Sequence, residues 1–336
     1  MDAVAPSLVG DVAGGARTSA ASSPAKERFY RMAQPYELPS VSYQDNCARY
    51  GWAPPTRCPT GNALWSRRAL LDELPLFARE YARRPVRNNV FGINTNHAFA
   101  LWFTIKMLRP RHLIESGVHR GLGTWLLRTA AGAEAFIYAL DPMDESILRY
   151  AGNYRDASPR TKYFLGDAFQ DLARMNWTKF IPWAERQETL VVLDDHMSCV
   201  KRVRQLLARG FVHLWYDDNY RTGGDCYSFS AVCSQPEDAS GHVSYMDNFG
   251  LYSATITAEQ HEANLRYLNE RMAAYFEFPP IFDGCHWAAD ALLGNRSRLP
   301  RLGLPAQHRD HYYYMSLRPP YVRLRRPHTT SANEES

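Results

Sequence analysis

The sequence predicts an α/β fold with a doubly wound, mostly parallel sheet, and three observations lead there. First, short apolar runs end in acids: Ala135–Leu140 at Asp141, Lys162–Leu165 at Gly166-Asp167, Thr189–Leu193 at Asp194-Asp195, and Phe211–Tyr216 at Asp217-Asp218. Runs of this kind suit strands covered by helices on both faces. Second, amphipathic segments separate them, as where Val200, Val203, Leu206 and Leu207 recur at helical spacing with Lys201, Arg202, Arg204 and Arg209 between. Third, His112–Thr124 runs from an apolar strand into a glycine-rich turn. Strand-then-helix alternation places the C-terminal strand ends on one edge of a parallel sheet, where open α/β folds bind ligands. Two acidic clusters, Asp194-Asp195-His196 and Asp217-Asp218-Asn219, are therefore expected to converge on one site.

Composition bounds the function. The chain has 336 residues and is 45% apolar, ample for a core, and its net charge of +4 does not demand nucleic acid. No segment approaches the roughly 20 apolar residues of a membrane span. The arginine-rich pieces at 79–87 and 318–326 read as solvated faces. Six cysteines without a CxxC pair read mostly as reduced thiols, with Cys47 and Cys58 as the one pairing to consider. The expected compartment is the cytoplasm.

In chain order, residues 1–25 are rich in Ala, Ser and Gly and are expected to form a disordered tail without a targeting role. Residues 26–90 form an aromatic lead-in, with a helix at Leu70–Tyr81 interrupted near Pro75. Asn94–Leu108 has an apolar helical face, and its first turn holds Asn94, Thr95, Asn96 and His97; capping explains one of these, and the others are candidates for a pocket mouth. The turn after His112–Ser116 contains Gly117, Gly121 and Gly123, with Thr124 opening the next helix. Glycine lets a backbone approach a ligand, and a helix N-terminus offers free N–H groups. The spacing differs from the G-x-G-x-x-G of dinucleotide dehydrogenases, which disfavours a nicotinamide oxidoreductase. Asp141, 18 residues beyond Gly123, stands where a doubly wound fold places an acid on a ribose. A helix at Glu145–Ala151 follows. Residues 220–250 read as an insertion or lid. A helix is expected over Thr257–Phe276 and a last strand over His311–Leu317, with a disordered tail at 327–336. The α/β domain thus spans 91–326.

Over roughly residues 90–320 the order of these motifs resembles the class I S-adenosylmethionine-dependent methyltransferases. The resemblance implies a Rossmann-like methyltransferase fold with a seven-stranded sheet. The stretch ESGVHRGLGT resembles the family's first motif, which cradles the cofactor's methionine portion, so Glu115, Gly117, Gly121 and Gly123 take those places. Asp141 matches the acid on the ribose hydroxyls, and Asp167 the position near the adenine. The stretches LDDH and YDDN resemble the metal-dependent O-methyltransferases of the catechol type, the related sugar and macrolide enzymes, and the cephalosporin hydroxylase-like group. That likeness implies Mg²⁺ or another divalent cation on Asp195, Asp218 and Asn219, with Asp194 the alternative for the first. Lys201 lies a turn and a half beyond Asp195, so the catalytic lysine of the catechol type has no counterpart here.

The implied activity is metal-assisted O-methyl transfer to a hydroxyl of a small molecule such as a sugar or phenol, with His196 as the candidate base because imidazole titrates near neutral pH. Expected partners are the small acceptor and a second copy of the chain, with neither nucleic acid nor membrane. The alternative is a non-catalytic ligand- or partner-binding protein that keeps the fold.

Overall fold

Five short apolar strands, β1 (His112–Ser116), β2 (Phe136–Asp141), β3 (Thr161–Leu165), β4 (Leu190–Leu193) and β5 (His213–Tyr216), run parallel as the sequence pattern predicts. Two later strands, β8 (Met272–Glu277) and β9 (Pro320–Leu324), pair antiparallel and complete one sheet in the order β3-β2-β1-β4-β5-β9-β8. A separate hairpin joins β6 (Val243–Asp247) to β7 (Tyr252–Ile256). The structure is a computed structural model, and it describes residues 57–58, 64–89, 92–220, 226–236, 239–247, 252–282, 291–293, 302, 304 and 318–325. All of these belong to the unit Ser40–Ser336.

Among the described residues the α-helices are α1 (Arg67–Tyr81), α2 (Thr95–Leu108), α3 (Leu122–Ala131), α4 (Cys199–Leu207), α5 (Phe229–Cys233) and α6 (Ala258–Arg271). Strand side chains alternate faces, so neighbours in sequence enter different cores. Leu113, Ile137, Leu190 and Val192 point into one core with Phe77 of α1, Phe99 and Phe103 of α2, and Leu126 of α3. Ile114, Tyr138, Val191 and Leu193 point into the other with Val203 and Leu206 of α4 and Leu268 of α6. Both faces are covered, which is why the parallel strands read as continuous apolar runs. Asn94 caps α2, its side chain accepting the His97 N–H at 3.0 Å.

Several boundaries differ from expectation. Helix α1 runs through Pro75 without interruption, because Leu70, Leu74, Phe77 and Tyr81 all bury on its inner face and outweigh one missing backbone bond. Helix α3 starts at Leu122 with Gly121 as its N-cap, rather than at Thr124. The segment after Asp144 is a 3₁₀ turn at Glu145–Arg149. Helix α6 stops at Arg271: Met272 turns extended, and Met272–Glu277 becomes a strand whose Tyr275 and Phe276 lie opposite Val322 and Tyr321. The strand completing the sheet is Pro320–Leu324; His311–Leu317 lies outside the described residues, as do residues 1–25 and 327–336. The lid expected at 220–250 contains α5 and β6 among its described parts.

Cys58 is disulfide-bonded to Cys233, while Cys199 and Cys226 are buried thiols outside any disulfide. This replaces the Cys47–Cys58 pairing; among the four described cysteines two are bonded and two are thiols, and Cys47 and Cys285 lie outside the described residues. Spacing along the chain could not show it, since 175 positions separate the partners. Among the described residues no helix is long and apolar enough to cross a membrane.

Candidate functional site

The site forms where β1, β4 and β5 end side by side. Register pairs Ser116 with Leu193 and Leu193 with Tyr216, so the next residues, Gly117, Asp194 and Asp217, follow at one edge. Backbone bonds extend the ladder beyond the strands: the Asp194 N–H donates to the Ser116 carbonyl at 2.8 Å and the Asp217 N–H to the Leu193 carbonyl at 2.8 Å.

Asp194, His196 and Asp218 come together there, with one potential ligand atom from each, all within 4.8 Å of one another. Asp218 is buried and accepts the His196 N–H at 3.0 Å, with the His196 Nδ1 at 3.5 Å from its other oxygen. His196 holds φ at 52°, a left-handed conformation uncommon for a residue with a side chain. Burial, then the charges of Asp217, Asp218, Glu115 and Asp195, push the Asp194 carboxyl well above the ordinary carboxylate range. A centre of this kind is stabilised by a bound cation.

Two expected ligands are used otherwise. Asp195 turns to the opposite side, where its Oδ2 meets the Arg202 guanidinium at 2.7 Å and accepts the Ser116 hydroxyl at 2.6 Å. Asn219 faces the antiparallel end of the sheet: its Oδ1 accepts the Ser230 N–H at 2.8 Å, and its Nδ2 donates to the Arg318 carbonyl at 2.9 Å. Asp194, the alternative first ligand in the sequence, thus comes together in space with His196 and Asp218, while Asp195 and Asn219 hold other partners. In both cases a nearer partner engages the side chain, although Asp195 Oδ1 has no hydrogen-bond partner.

The glycine turn is close-packed on its own chain. A Cβ on Gly117 would lie 1.8 Å from the Asp194 carbonyl oxygen, and Gly117 also holds φ at 99°. A Cβ on Gly121 would meet the Tyr154 carbonyl at 2.0 Å, and one on Gly123 the Glu115 carboxylate at 2.3 Å. These glycines therefore let strand ends and turn approach each other, in addition to any role toward a ligand. Glu115 is buried beneath the turn and accepts the Thr124 hydroxyl at 2.5 Å. Burial pushes its carboxyl up to about 8, with the Thr124 hydrogen bond opposing and Asp141 adding to the rise.

Asp141, the last residue of β2, binds the turn's own backbone: Oδ2 accepts the N–H groups of Val118 at 2.6 Å and His119 at 3.1 Å, and Oδ1 that of Met143 at 2.8 Å. Asp167 lies exposed in the 3₁₀ turn Gly166–Ala168 after β3. The six cofactor candidates thus fall along the β1, β2 and β3 ends, with Asp167 at the sheet's outer strand.

Asp247 and Arg202 escaped the sequence reading as participants, while His97 and Asn96 stand in the first turn of α2, where a pocket mouth was expected. His97, in the first turn of α2, meets Asp217 through Nδ1 at 2.7 Å in a buried pair, while Asn96 accepts the Ile281 N–H at 3.0 Å. Asp247, at the end of β6, accepts the Ser198 N–H at 2.7 Å and so ties the hairpin to the loop carrying His196. Arg202 is only 2% exposed and also binds Asp171 at 2.9 Å. A signal for it existed: position 202 lies three after Cys199 and four before Leu206, on the buried stripe of α4. Burial works against its charge, but Asp195 and Asp171 outweigh that and hold the guanidinium above its ordinary pKa.

Strand order, the glycine turn into α3, and acids at the strand ends define a doubly wound, Rossmann-like α/β fold with a mostly parallel seven-stranded sheet. No protein-family model matches the chain, and no curated protein does. Solved structures similar to it include TomG, an O-methyltransferase of tomaymycin synthesis from Streptomyces achromogenes in complex with SAM, at 13% identity and TM-score 0.36 over 63% of this chain and 83% of that one. An O-methyltransferase from Bacillus cereus in complex with SAH matches at 11% identity and TM-score 0.34, covering 65% and 87% of the two chains. A methyltransferase from Geobacter sulfurreducens matches at 14% identity and TM-score 0.26, covering 53% and 80%.

Proposed function

We propose that this protein is an S-adenosylmethionine-dependent O-methyltransferase acting on a hydroxyl of a small molecule, a sugar, phenol or related natural product, with help from a divalent cation such as Mg²⁺. The observation that carries this reading is the convergence of Asp194, His196 and Asp218 beside the glycine turn of β1. Asp194 and Asp218 would hold the ion, whose contribution is to lower the pKa of an acceptor hydroxyl and orient it. Their fit to a cation rests on charge: four neighbouring carboxylates oppose ionisation of Asp194. His196 stands beside them as the base, since imidazole accepts a proton near neutral pH.

On the cofactor side, S-adenosylmethionine supplies the methyl group. Asp141 keeps the turn Gly117–Gly121 in shape by accepting its Val118 and His119 N–H groups, and the N-terminus of α3, where Gly121 offers no side-chain cap, would present backbone N–H groups to an anionic end such as a carboxylate. Asp167 and the rim of β2 are the proposed contacts for the nucleoside. Holding two substrates in line accounts for a large share of the acceleration in such a transfer.

The test is calorimetry of the purified protein with S-adenosylmethionine in the presence and absence of Mg²⁺. Saturable binding is expected, and Asp218→Asn is expected to abolish methyl transfer while leaving cofactor affinity largely intact. Absence of any cofactor binding in Mg²⁺-containing buffer would remove the reading. A second reading, a non-catalytic binding protein, draws on the commitment of Asp195 and Asn219 to structural partners. Methyl transfer to any member of a hydroxylated acceptor panel would exclude it.

A further inference from the structure

Residues 57 and 58 are fastened to the insertion that follows β5 by more than one bond. Cys58 is disulfide-bonded to Cys233, the last residue of α5. The Arg57 N–H donates to the Cys233 carbonyl at 3.1 Å, and the Arg57 carbonyl accepts from Asn269 of α6 at 3.1 Å. The Arg57 guanidinium meets both carboxylate oxygens of Glu262, also on α6, at 2.6 Å. This clip therefore joins the lead-in to α5 and α6 at once.

The other end of the same insertion frames the acidic centre. The Ser230 N–H donates to Asn219 Oδ1 at 2.8 Å, and the Ser228 hydroxyl donates to the Tyr220 carbonyl. The Tyr227 carbonyl accepts the N–H of Cys199, the first residue of α4, at 2.9 Å. Segment 226–233 thus braces both the chain leaving Asp218 and the helix following His196. It contains only the five-residue helix α5, and a helix that short has little stability of its own. Its order depends on what holds its two ends.

We propose that the Cys58–Cys233 bond is a strap that makes the wall of the acidic centre conditional on oxidising surroundings. Disulfides form and persist in such compartments and are rare in reducing ones. Both sulfurs are buried, so once formed the bond is shielded from reductants and acts as a lasting strap. Forming it removes two electrons and two protons from the two thiols, which a small disulfide such as oxidised glutathione accepts. The proposal favours, over the cytoplasm expected from the sequence, a compartment in which disulfides form.

The experiment refolds the full chain in glutathione buffers spanning cytosolic to secretory redox poise, then combines digestion without reduction and amide hydrogen exchange. The oxidising samples are expected to yield a cross-linked peptide pair containing Cys58 and Cys233, with Cys199 and Cys226 unpaired. In the reducing samples, amides of 226–233 and Asn219 are expected to exchange about ten-fold faster or more, while Gly117 and Asp194 keep their protection. The double variant Cys58→Ser, Cys233→Ser should reproduce the reduced pattern, and the wild-type samples refolded under reducing poise give the same comparison if the variant does not fold. The proposal is overturned by free alkylation of both cysteines in the oxidising samples. It is equally overturned by exchange over 226–233 that is indifferent to the bond.

Discussion

Arg202 and Asp195 form a buried ion pair, Nη2 to Oδ2 at 2.7 Å, and that pair decides which of two adjacent acids faces the site. Neighbouring side chains at the end of a strand point to opposite sides. With Asp195 held by Arg202 from α4 and by the Ser116 hydroxyl from β1, Asp194 is turned toward His196 and Asp218. One guanidinium also neutralises part of an unusually acidic neighbourhood.

Replacing Arg202 with Met should therefore cost more stability than a surface arginine would. Removing one member of a buried pair leaves an uncompensated charge and typically costs ~3–5 kcal/mol. Here Asp195 and Asp171 would both lose their cation, and Asp195 Oδ1 already has no hydrogen-bond partner. Adding Asp195→Asn to Arg202→Met should recover a measurable part of the loss. Urea unfolding of the wild type, both single variants and the double variant measures this coupling, and additive losses would contradict it.

Asp194→Asn and Asp195→Asn separate the ligand set seen in space from the one read in sequence. Asp194→Asn should weaken Mn²⁺ binding about ten-fold or more, as loss of a direct carboxylate ligand does. Asp195→Asn should lower stability and leave Mn²⁺ affinity nearly unchanged. Titration followed by electron paramagnetic resonance of free Mn²⁺ reads both. The reverse pattern would return Asp195 to the cation and make its pairing with Arg202 incidental.

Gly117→Ala tests how tightly the strand ends are joined. The new methyl would lie 1.8 Å from the Asp194 carbonyl oxygen, a backbone atom that cannot swing aside, and the residue's φ of 99° is already unfavourable for alanine. The expected result is a loss of several kcal/mol, or failure to fold, read by thermal unfolding. Gly132→Ala is the control: it has a similar φ of 87° but nothing within 4 Å of the added methyl, so strain alone should make it much milder.

The sheet was legible because its inner parallel strands are buried on both faces and all but β1 run into acids, a pattern that needs no knowledge of distant contacts. Asp194, Asp218 and Gly117 could be placed at one edge from chain order alone. What the sequence hid was side-chain direction. Nothing local shows that Asp195 turns to Arg202, that Asn219 faces Ser230, or that His97 reaches Asp217 across 120 positions. The disulfide was hidden for the same reason, and β8 was mistaken for helix because the register with β9 that makes Met272–Glu277 a strand lies some fifty residues away in the chain.

Glu115 gives the fold a measurable dependence on pH. Burial raises its carboxyl from the ordinary 4.5 to about 8, so between those values the native state keeps a proton that the unfolded chain has released. The associated stability is fully present below pH 4.5 and is lost as pH rises through 8, at up to ~1.4 kcal/mol per pH unit. Asp194 and Asp141 are also raised and slope the same way, so the informative quantity is the difference from a variant. Glu115→Gln keeps an acceptor for the Thr124 hydroxyl and cannot ionise. Its unfolding free energy should fall less steeply than that of the wild type from pH 5 to pH 8, and at pH 8 it should match or exceed the wild type. Parallel profiles for the two proteins would mean that the Glu115 carboxyl is ionised under the turn, with a cation or water compensating it.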